Sequence, residues 1–457
     1  MKRFIRIIII LAILSSISVI PAMADGPDLP TEIDVSGEYL LLVKGNKEAQ
    51  LEREVEKLGG TLVFFHEAGF AFVSGLPEGA AQKLGKQNFV QDIQQNVLIE
   101  FDPGITQTAP LEVADLPESP SDPTTAARFS WQWNMRAIDA DEAWAEGYLG
   151  SSDVTVAILD TGIDYTYPDL LGRVDLSRSV SFVPEDDLYV NYFFPGKHLV
   201  TDIHYHGTHV AATVASNGYV AAGVTSQTTL MGVKVCSAVL GYCPGEAVVQ
   251  GVLHAVDNGA DVINMSLGGG FAKSEYPGYV SVVNKLYNYA KAQGVTIVVS
   301  AGNDSMDLDH NGDWYSTYCD TPATVCVSAT GPTSADDINV GPWYEIDAPA
   351  SYTNYGRSGI NVAAPGGNSG GYVWAACSQT SLVIPACQTG TYVVGLGGTS
   401  MASPHVAGLA AMLVDQYGNN PGRIKTALQQ GAEDLGQPGV DPFYGKGRIN
   451  VFDTVAP

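Results

Sequence analysis

From residue 154 onward the chain repeats one pattern that few folds accommodate: a short continuous apolar run, then a segment of helix length. The runs are Val154–Leu159, Leu230–Val235, Val262–Ser266, Val295–Ser300, Val325–Ala329 and Ile360–Ala364. A strand that is apolar at every position must be covered on both faces, as parallel strands are. The segments His209–Ser216, Ala247–Asn258, Val282–Ala292 and Ser400–Tyr417 predict helices. Together they predict a doubly wound α/β unit, with a mostly parallel sheet and helices on both faces.

The first third of the 457 residues is different in kind. Lys2, Arg3 and Arg6, an apolar stretch from Ile7 to about Ile20, and Ala22-Met23-Ala24 read as a secretory leader over 1–24. A membrane anchor is the alternative, but the apolar stretch is short and Asp25-Gly26-Pro27 follows at once. Residues 25–102 hold a second, smaller unit. Tyr39–Val43, Thr61–Phe65 and Phe70–Ser74 predict strands. Lys47–Leu58 and Gly79–Lys86 predict helices, and the alternating Val97, Ile99 and Phe101 predict a last strand. The order βαββαβ is that of the ferredoxin-like α+β arrangement. Residues 103–128 are proline-rich without periodicity and read as an exposed linker before the unit 129–457.

The formal net charge is -26, yet charged residues make up only 16% of the chain. Acids outnumber scarce bases, which argues against nucleic acid or an anionic membrane as partner. Export also accounts for the cysteines, since disulfides persist in oxidising compartments. Cys236 and Cys243, Cys319 and Cys326, and Cys377 and Cys387 form three sequence-local pairs. That clustering favours three local bridges, with free buried thiols as the alternative.

Three segments carry chemistry. Val156-Ala157-Ile158-Leu159-Asp160-Thr161-Gly162 ends a strand on a carboxylate. His206-Gly207-Thr208-His209 offers an imidazole. Gly397-Gly398-Thr399-Ser400-Met401-Ala402-Ser403-Pro404-His405 opens a helix on a hydroxyl. Singly, such an Asp or Ser is most often a cap. Jointly, they supply nucleophile, base and base-orienting carboxylate in the order Asp…His…Ser. The serine needs an adjacent base, His206 can shuttle its proton, and the helix N-terminus favours a developing oxyanion.

These segments, flanking glycines included, resemble the subtilisin-like serine peptidases (subtilases) over the whole stretch Phe129 to Pro457, down to Tyr444-Gly445-Lys446-Gly447-Arg448-Ile449-Asn450. The resemblance implies a serine endopeptidase with Asp160, His206 and Ser400 as triad and Asn303 as oxyanion donor. It assigns Ser266, Leu267 and Gly268 to a strand edge that lays out the substrate backbone. It implies that 25–102 is a propeptide that assists folding and inhibits its own enzyme, and that 103–128 is the processing region. Partners are then protein or peptide substrates and the chain's own propeptide. A monomer is expected, extracellular or periplasmic, with no membrane contact after the leader is cut.

Two readings from other classes stand beside it. One is a catalytically silent secreted binding protein on the same scaffold. The other is a serine esterase, although the residues around Ser400 are not a Gly-x-Ser-x-Gly elbow.

No cofactor is expected for the chemistry, but structural calcium is an open expectation. Asp307, Asp309, Asn311 and Asp313 alternate, with Gly312 sixth, like the first half of an EF-hand loop. Tyr318 occupies the place of the closing carboxylate, so a solvated acidic loop is the alternative. Asp169 matches a calcium-binding position of many subtilases. His204, His206 and His209 have the spacing of a metal site, against structural roles for His209 and His405.

Overall fold

The computed structural model describes residues 29–101, 104–106, 111–116, 122–316 and 318–456. The expected leader, 1–24, and parts of the expected linker lie outside the described residues.

Residues 39–95 build β1 (Tyr39–Val43), α1 (Glu48–Lys57), β2 (Thr61–His66), β3 (Phe70–Ser74), α2 (Glu78–Leu84) and β4 (Val90–Gln95). The strands form an antiparallel sheet ordered β2-β3-β1-β4, the split-βαβ arrangement. Leu51 and Val55 of α1 and Ala81 and Leu84 of α2 cover one face, against Tyr39, Leu41 and Val43. The other face is not open to water. Leu40, Leu42, Phe70 and Phe72 pack on Val282, Val283 and Leu286 of the larger unit. That is why Tyr-Leu-Leu-Leu-Val is buried at every position.

Three short strands follow: β5 (Leu98–Glu100), β6 (Ile105–Thr106) and β7 (Leu111–Glu112). The larger unit then runs α3 (Trp133–Ala137), α4 (Ala140–Ala145), β8 (Thr155–Asp160), β9 (Val180–Ser181), α5 (Pro184–Phe193), α6 (His206–Val214), β10 (Thr229–Lys234), β11 (Tyr242–Pro244) and α7 (Gly245–Asp257). It continues with β12 (Val262–Met265), β13 (Gly270–Ala272), α8 (Pro277–Ala292), β14 (Thr296–Ser300), β15 (Trp314–Ser316), β16 (Val325–Thr330), β17 (Ser334–Ala335) and β18 (Trp343–Tyr344). Last come β19 (Val362–Pro365), β20 (Val373–Cys377), β21 (Tyr392–Gly397), α9 (Thr399–Tyr417), α10 (Pro421–Gln430) and α11 (Val451–Val455).

Seven of these strands form one parallel sheet, ordered β19-β16-β14-β12-β8-β10-β9. Alternate residues of β8 feed opposite cores. Val156 and Ile158 join the side of α6 and α9, whereas Ala157 and Leu159 join the side of α7 and α8. The three local cysteine pairs are bridged: Cys236–Cys243, Cys319–Cys326 and Cys377–Cys387.

Two expectations change. The Val97-Ile99-Phe101 alternation does not supply the last strand of the small sheet; β4 takes that place. Instead β5 pairs antiparallel with β11 of the larger unit. Alternation reports that one face of a strand is covered; it does not report which body covers it. The described part of 103–128 is also not an exposed spacer. β6 and β7 pair with β21, and Val113 and Pro123 are buried.

Candidate active site

β8 ends on Asp160 at the carboxyl edge of the sheet, where open α/β sheets place their sites. Asp160 Oδ1 accepts the Thr161 N–H at 2.7 Å and meets His206 Nδ1 at 2.8 Å. Both side chains are wholly buried. A carboxylate can only accept, so the proton sits on Nδ1 and Nε2 is the basic nitrogen. Nε2 has no hydrogen-bond partner in this state. A Cβ on Gly207 would stand 2.1 Å from the Gly162 carbonyl and 3.1 Å from Asp160 Oδ1. Only glycine lets the start of α6 approach β8 this closely.

Behind this pair lies Asp202, which sequence reasoning missed. Its carboxylate accepts from Thr161 Oγ1 (3.0 Å), His204 N (2.9 Å), Thr208 N (3.0 Å) and Thr208 Oγ1 (2.6 Å). Burial pushes its carboxyl up to about 6, against those hydrogen bonds. The network ties the loop before α6 to the loop after β8.

Ser400 opens α9, and Pro404 sits inside that helix. Proline has no N–H, so the Ser400 carbonyl lacks its helical donor. Ser266 Oγ supplies one at 2.7 Å. Ser266 Oγ accepts in turn from Asn264 Nδ2 at 3.0 Å, and Asn264 Oδ1 accepts from Ser403 Oγ at 2.7 Å. The nucleophile candidate is thereby anchored to the end of β12. Pro404, four residues after Ser400, was the sequence signal that this carbonyl needed an outside donor. The Ser400 hydroxyl itself donates to the Ser266 carbonyl at 3.3 Å rather than to His206.

Asn303 follows β14. Its Oδ1 accepts from Thr399 N at 2.9 Å and Thr399 Oγ1 at 3.0 Å. That fixes the carboxamide so that its amide nitrogen lies beside Gly398, 3.6 Å from where a Cβ there would stand. The expected oxyanion donor and the expected nucleophile are thus neighbours at one helix N-terminus.

A strand of the chain's own N-terminal region fills the groove above these groups. β5 lies between β11 and Gly269; the Phe101 N–H donates to the Gly241 carbonyl at 2.9 Å. Gly269 has φ +108°, and a Cβ there would stand 2.8 Å from the Glu100 carbonyl oxygen. The expected edge Ser266-Leu267-Gly268 leads directly into this contact. The Phe101 ring stands edge-on to His206, centroids 5.0 Å apart.

Other expected ligand sets do not come together. His206 faces Asp160, His209 Nε2 meets the Val373 carbonyl at 3.1 Å, and His204 Nδ1 accepts the His206 N–H at 3.3 Å. Burial holds His209 down to about 3 and His405 down to about 4; both sit in the core as neutral rings. The acidic loop does not fit calcium either. Asp309 accepts from the N–H groups of Arg357 and Ser358, Asp313 from Ser274, and Asp307 from His310. Their oxygens cap separate turns instead of converging as an oxygen cage requires. Asp169 is buried and accepts the Val220 and Ala221 N–H groups at 2.8 and 3.0 Å. Among the described residues no cluster of three or more His, Cys, Asp or Glu forms a metal cage.

Residues 151–447 match the Subtilase family. The chain belongs to that family. Thermitase of Thermoactinomyces vulgaris is 31% identical over 342 residues, covering 74% of this subtilase and 99% of its own length. A thermophilic serine proteinase of Bacillus sp. (strain AK1) is 28% identical over 98% of this chain and 99% of its own. The crystal structure of the epidermin leader peptide processing serine protease (EpiP) from Staphylococcus aureus shares the fold, with a TM-score of 0.68 at 20% identity over 92% of this chain and 97% of that one. This subtilase is therefore a serine peptidase of the subtilisin type, a family that needs no cofactor for hydrolysis. Among the described residues no helix is long and apolar enough to cross a membrane.

Proposed function

We propose that this subtilase is a secreted serine endopeptidase made as a self-processing zymogen, and that Asp160, His206, Ser400 and Asn303 carry the chemistry. The observation that supports it most is the buried 2.8 Å contact between Asp160 Oδ1 and His206 Nδ1 beneath a strand of the chain itself. Ser400 Oγ attacks the peptide carbonyl as His206 Nε2 takes its proton. Asp160 stabilises the resulting imidazolium. The Asn303 amide and the N-terminus of α9 receive the oxyanion. His206 then returns its proton to the leaving amine, and water releases the acyl group from Ser400. For Ser400 to give its proton to His206, its hydroxyl must leave the Ser266 carbonyl.

In this reading residues 1–24 are a leader, 25–102 an inhibitory propeptide, 103–128 the processing region and 129–457 the peptidase, acting as a monomer on proteins and peptides. Occupation of the groove by β5 supports the inhibition. Replacement of Ser400 by Ala tests the proposal. Casein hydrolysis by the secreted protein should fall on the order of 10⁶-fold in kcat, the magnitude for such a loss in subtilisin, a relative. The Ser400→Ala precursor, purified alone, should stay uncut between 103 and 128 by mass spectrometry. Hydrolysis that survives the substitution removes Ser400 as nucleophile; a cut precursor removes self-processing.

A further inference from the structure

The groove is not the only place where the N-terminal region touches the larger unit. Pro184–Phe193 folds as α5 between the segment that carries Asp160 and the one that carries His206. Its inner face is fixed: Tyr189 and Val190 pack with Ile203 and Ala238 as a small separate core. Asp186 fastens the helix to the loop beyond β10, accepting from Ser237 Oγ at 2.7 Å and from Ala238 N at 2.9 Å. Leu29, where the described chain begins, packs against this core. Tyr189 Oη donates to the Pro30 carbonyl at 2.9 Å. An aliphatic side chain followed by a proline thus sits on α5 while β5 fills the groove. The two seats are separate, but one loop joins them. The Cys236–Cys243 bridge closes a loop that has Ala238 on the α5 side and Tyr242 in β11 on the groove side.

Leu29 leaves part of this surface open. Leu188 and Tyr192, one turn apart on α5, are 51% and 37% exposed, and Val239 and Val383 are exposed next to Ala238 and Leu382 of the same core. These are four of the eleven large apolar side chains exposed among the described residues. Apolar side chains gathered on an otherwise acidic protein mark an interaction site. Under the proposed maturation residues 25–102 depart, and the seat of Leu29 opens as well.

We infer that α5 and its surroundings are a docking surface outside the groove, and that its partner is an extended stretch of a protein substrate in which an aliphatic residue precedes a proline. This rests on the peptidase and zymogen readings and goes beyond them. The chain's own Leu29-Pro30 displays the chemistry that fits: an apolar side chain for the core and a carbonyl for the Tyr189 hydroxyl. Proline brings no N–H that needs a partner, and its fixed φ keeps the segment extended. A second contact raises the local concentration of the segment to be cut without touching the chemistry. It therefore acts on KM, and only for chains long enough to reach both seats.

The test uses enzyme matured from the full chain and compares casein with an internally quenched hexapeptide, too short to fill the groove and reach α5 together. Leu188→Ser combined with Tyr192→Ser should raise KM for casein roughly tenfold, and leave kcat on casein and both constants on the hexapeptide within about twofold. A competition on the wild-type enzyme needs no variant. The synthetic peptide of residues 29–36, Leu-Pro-Thr-Glu-Ile-Asp-Val-Ser, should inhibit casein hydrolysis competitively and spare the hexapeptide. The same peptide with Leu29→Ser should not inhibit. Equal losses on both substrates, no loss on casein, or a peptide that inhibits both or neither overturns the inference. So does a matured enzyme that runs as a dimer on size-exclusion chromatography and as a monomer in the double variant, since the surface then belongs to a second copy. Failure of the underlying readings looks different. Without peptidase activity the wild-type protein cuts neither substrate, and without maturation the active enzyme still carries residues 25–102 by mass spectrometry.

Discussion

Two sets of carboxylates in this molecule, one buried and one half-buried, are treated in opposite ways. In the catalytic unit three wholly buried ones, Asp169, Asp186 and Asp202, are surrounded by donors from their own unit. Asp202 has four hydrogen bonds, and Asp169 and Asp186 receive backbone N–H groups. Where the small unit meets the large one, Glu38 and Glu246 share a single Asn96 amide. Glu185 and Asp34 add negative charge near Glu38. A buried acid saturated with donors is built to stay; two acids facing each other across a joint make that joint conditional. The contrast fits the proposed zymogen, in which the catalytic unit stays whole and the N-terminal unit leaves it.

Removing Asp202 should have the largest consequence. Asp202→Ala strands four buried donors, so denaturant unfolding should lose about 3 kcal/mol or more. A loss under about 1 kcal/mol would mean the catalytic unit does not depend on this network.

At the joint the effect should be one of pH. Burial lifts Glu246 from 4.5 to about 7 when the units are docked, and Glu38 is raised as well. A raised carboxyl favours docking while protonated. The contribution is complete below about 4.5 and disappears as pH climbs through about 7. The cut N-terminal unit should therefore stay bound to the matured enzyme at pH 5 and leave it at pH 8, with affinity changing by up to roughly 10²-fold. Glu246→Gln should flatten that profile on size-exclusion chromatography; a profile it leaves intact would place the switch elsewhere.

The smallest effect belongs to His66 and Asp257, which meet across the same joint at 2.8 Å with Asp257 41% exposed. His66→Ala should weaken docking by less than about 1 kcal/mol. A larger loss would mean that this rim pair, rather than the carboxylate pair, governs release.

The sequence disclosed the parallel core well, because continuous apolar runs such as Val156–Leu159 have few other uses. β4 stayed hidden because Val-Gln-Asp-Ile-Gln-Gln carries only two apolar residues. α5 stayed hidden for want of an apolar stripe, although Pro184 followed by Glu185, Asp186 and Asp187 is a helix start. At the candidate site, the segments that carry Asp160, His206, Ser400 and Asn303 were legible because each is long and local. The contact of Phe101 with His206 was not, since it spans a hundred residues and exists only after folding. For Asp307, Asp309 and Asp313, spacing gives the order of oxygens along a loop and not their direction, so it left calcium and a solvated acidic loop as alternatives.

The proline inside α9 has a mechanical corollary. Because the Ser400 carbonyl borrows its donor from Ser266, the Ser400 side chain takes its bearings from the neighbouring strand end and not from the helix that bears it. Under the proposed mechanism, a guest laid along that edge touches the reference frame of the nucleophile itself, so seating a substrate and aiming the attacking oxygen become one motion.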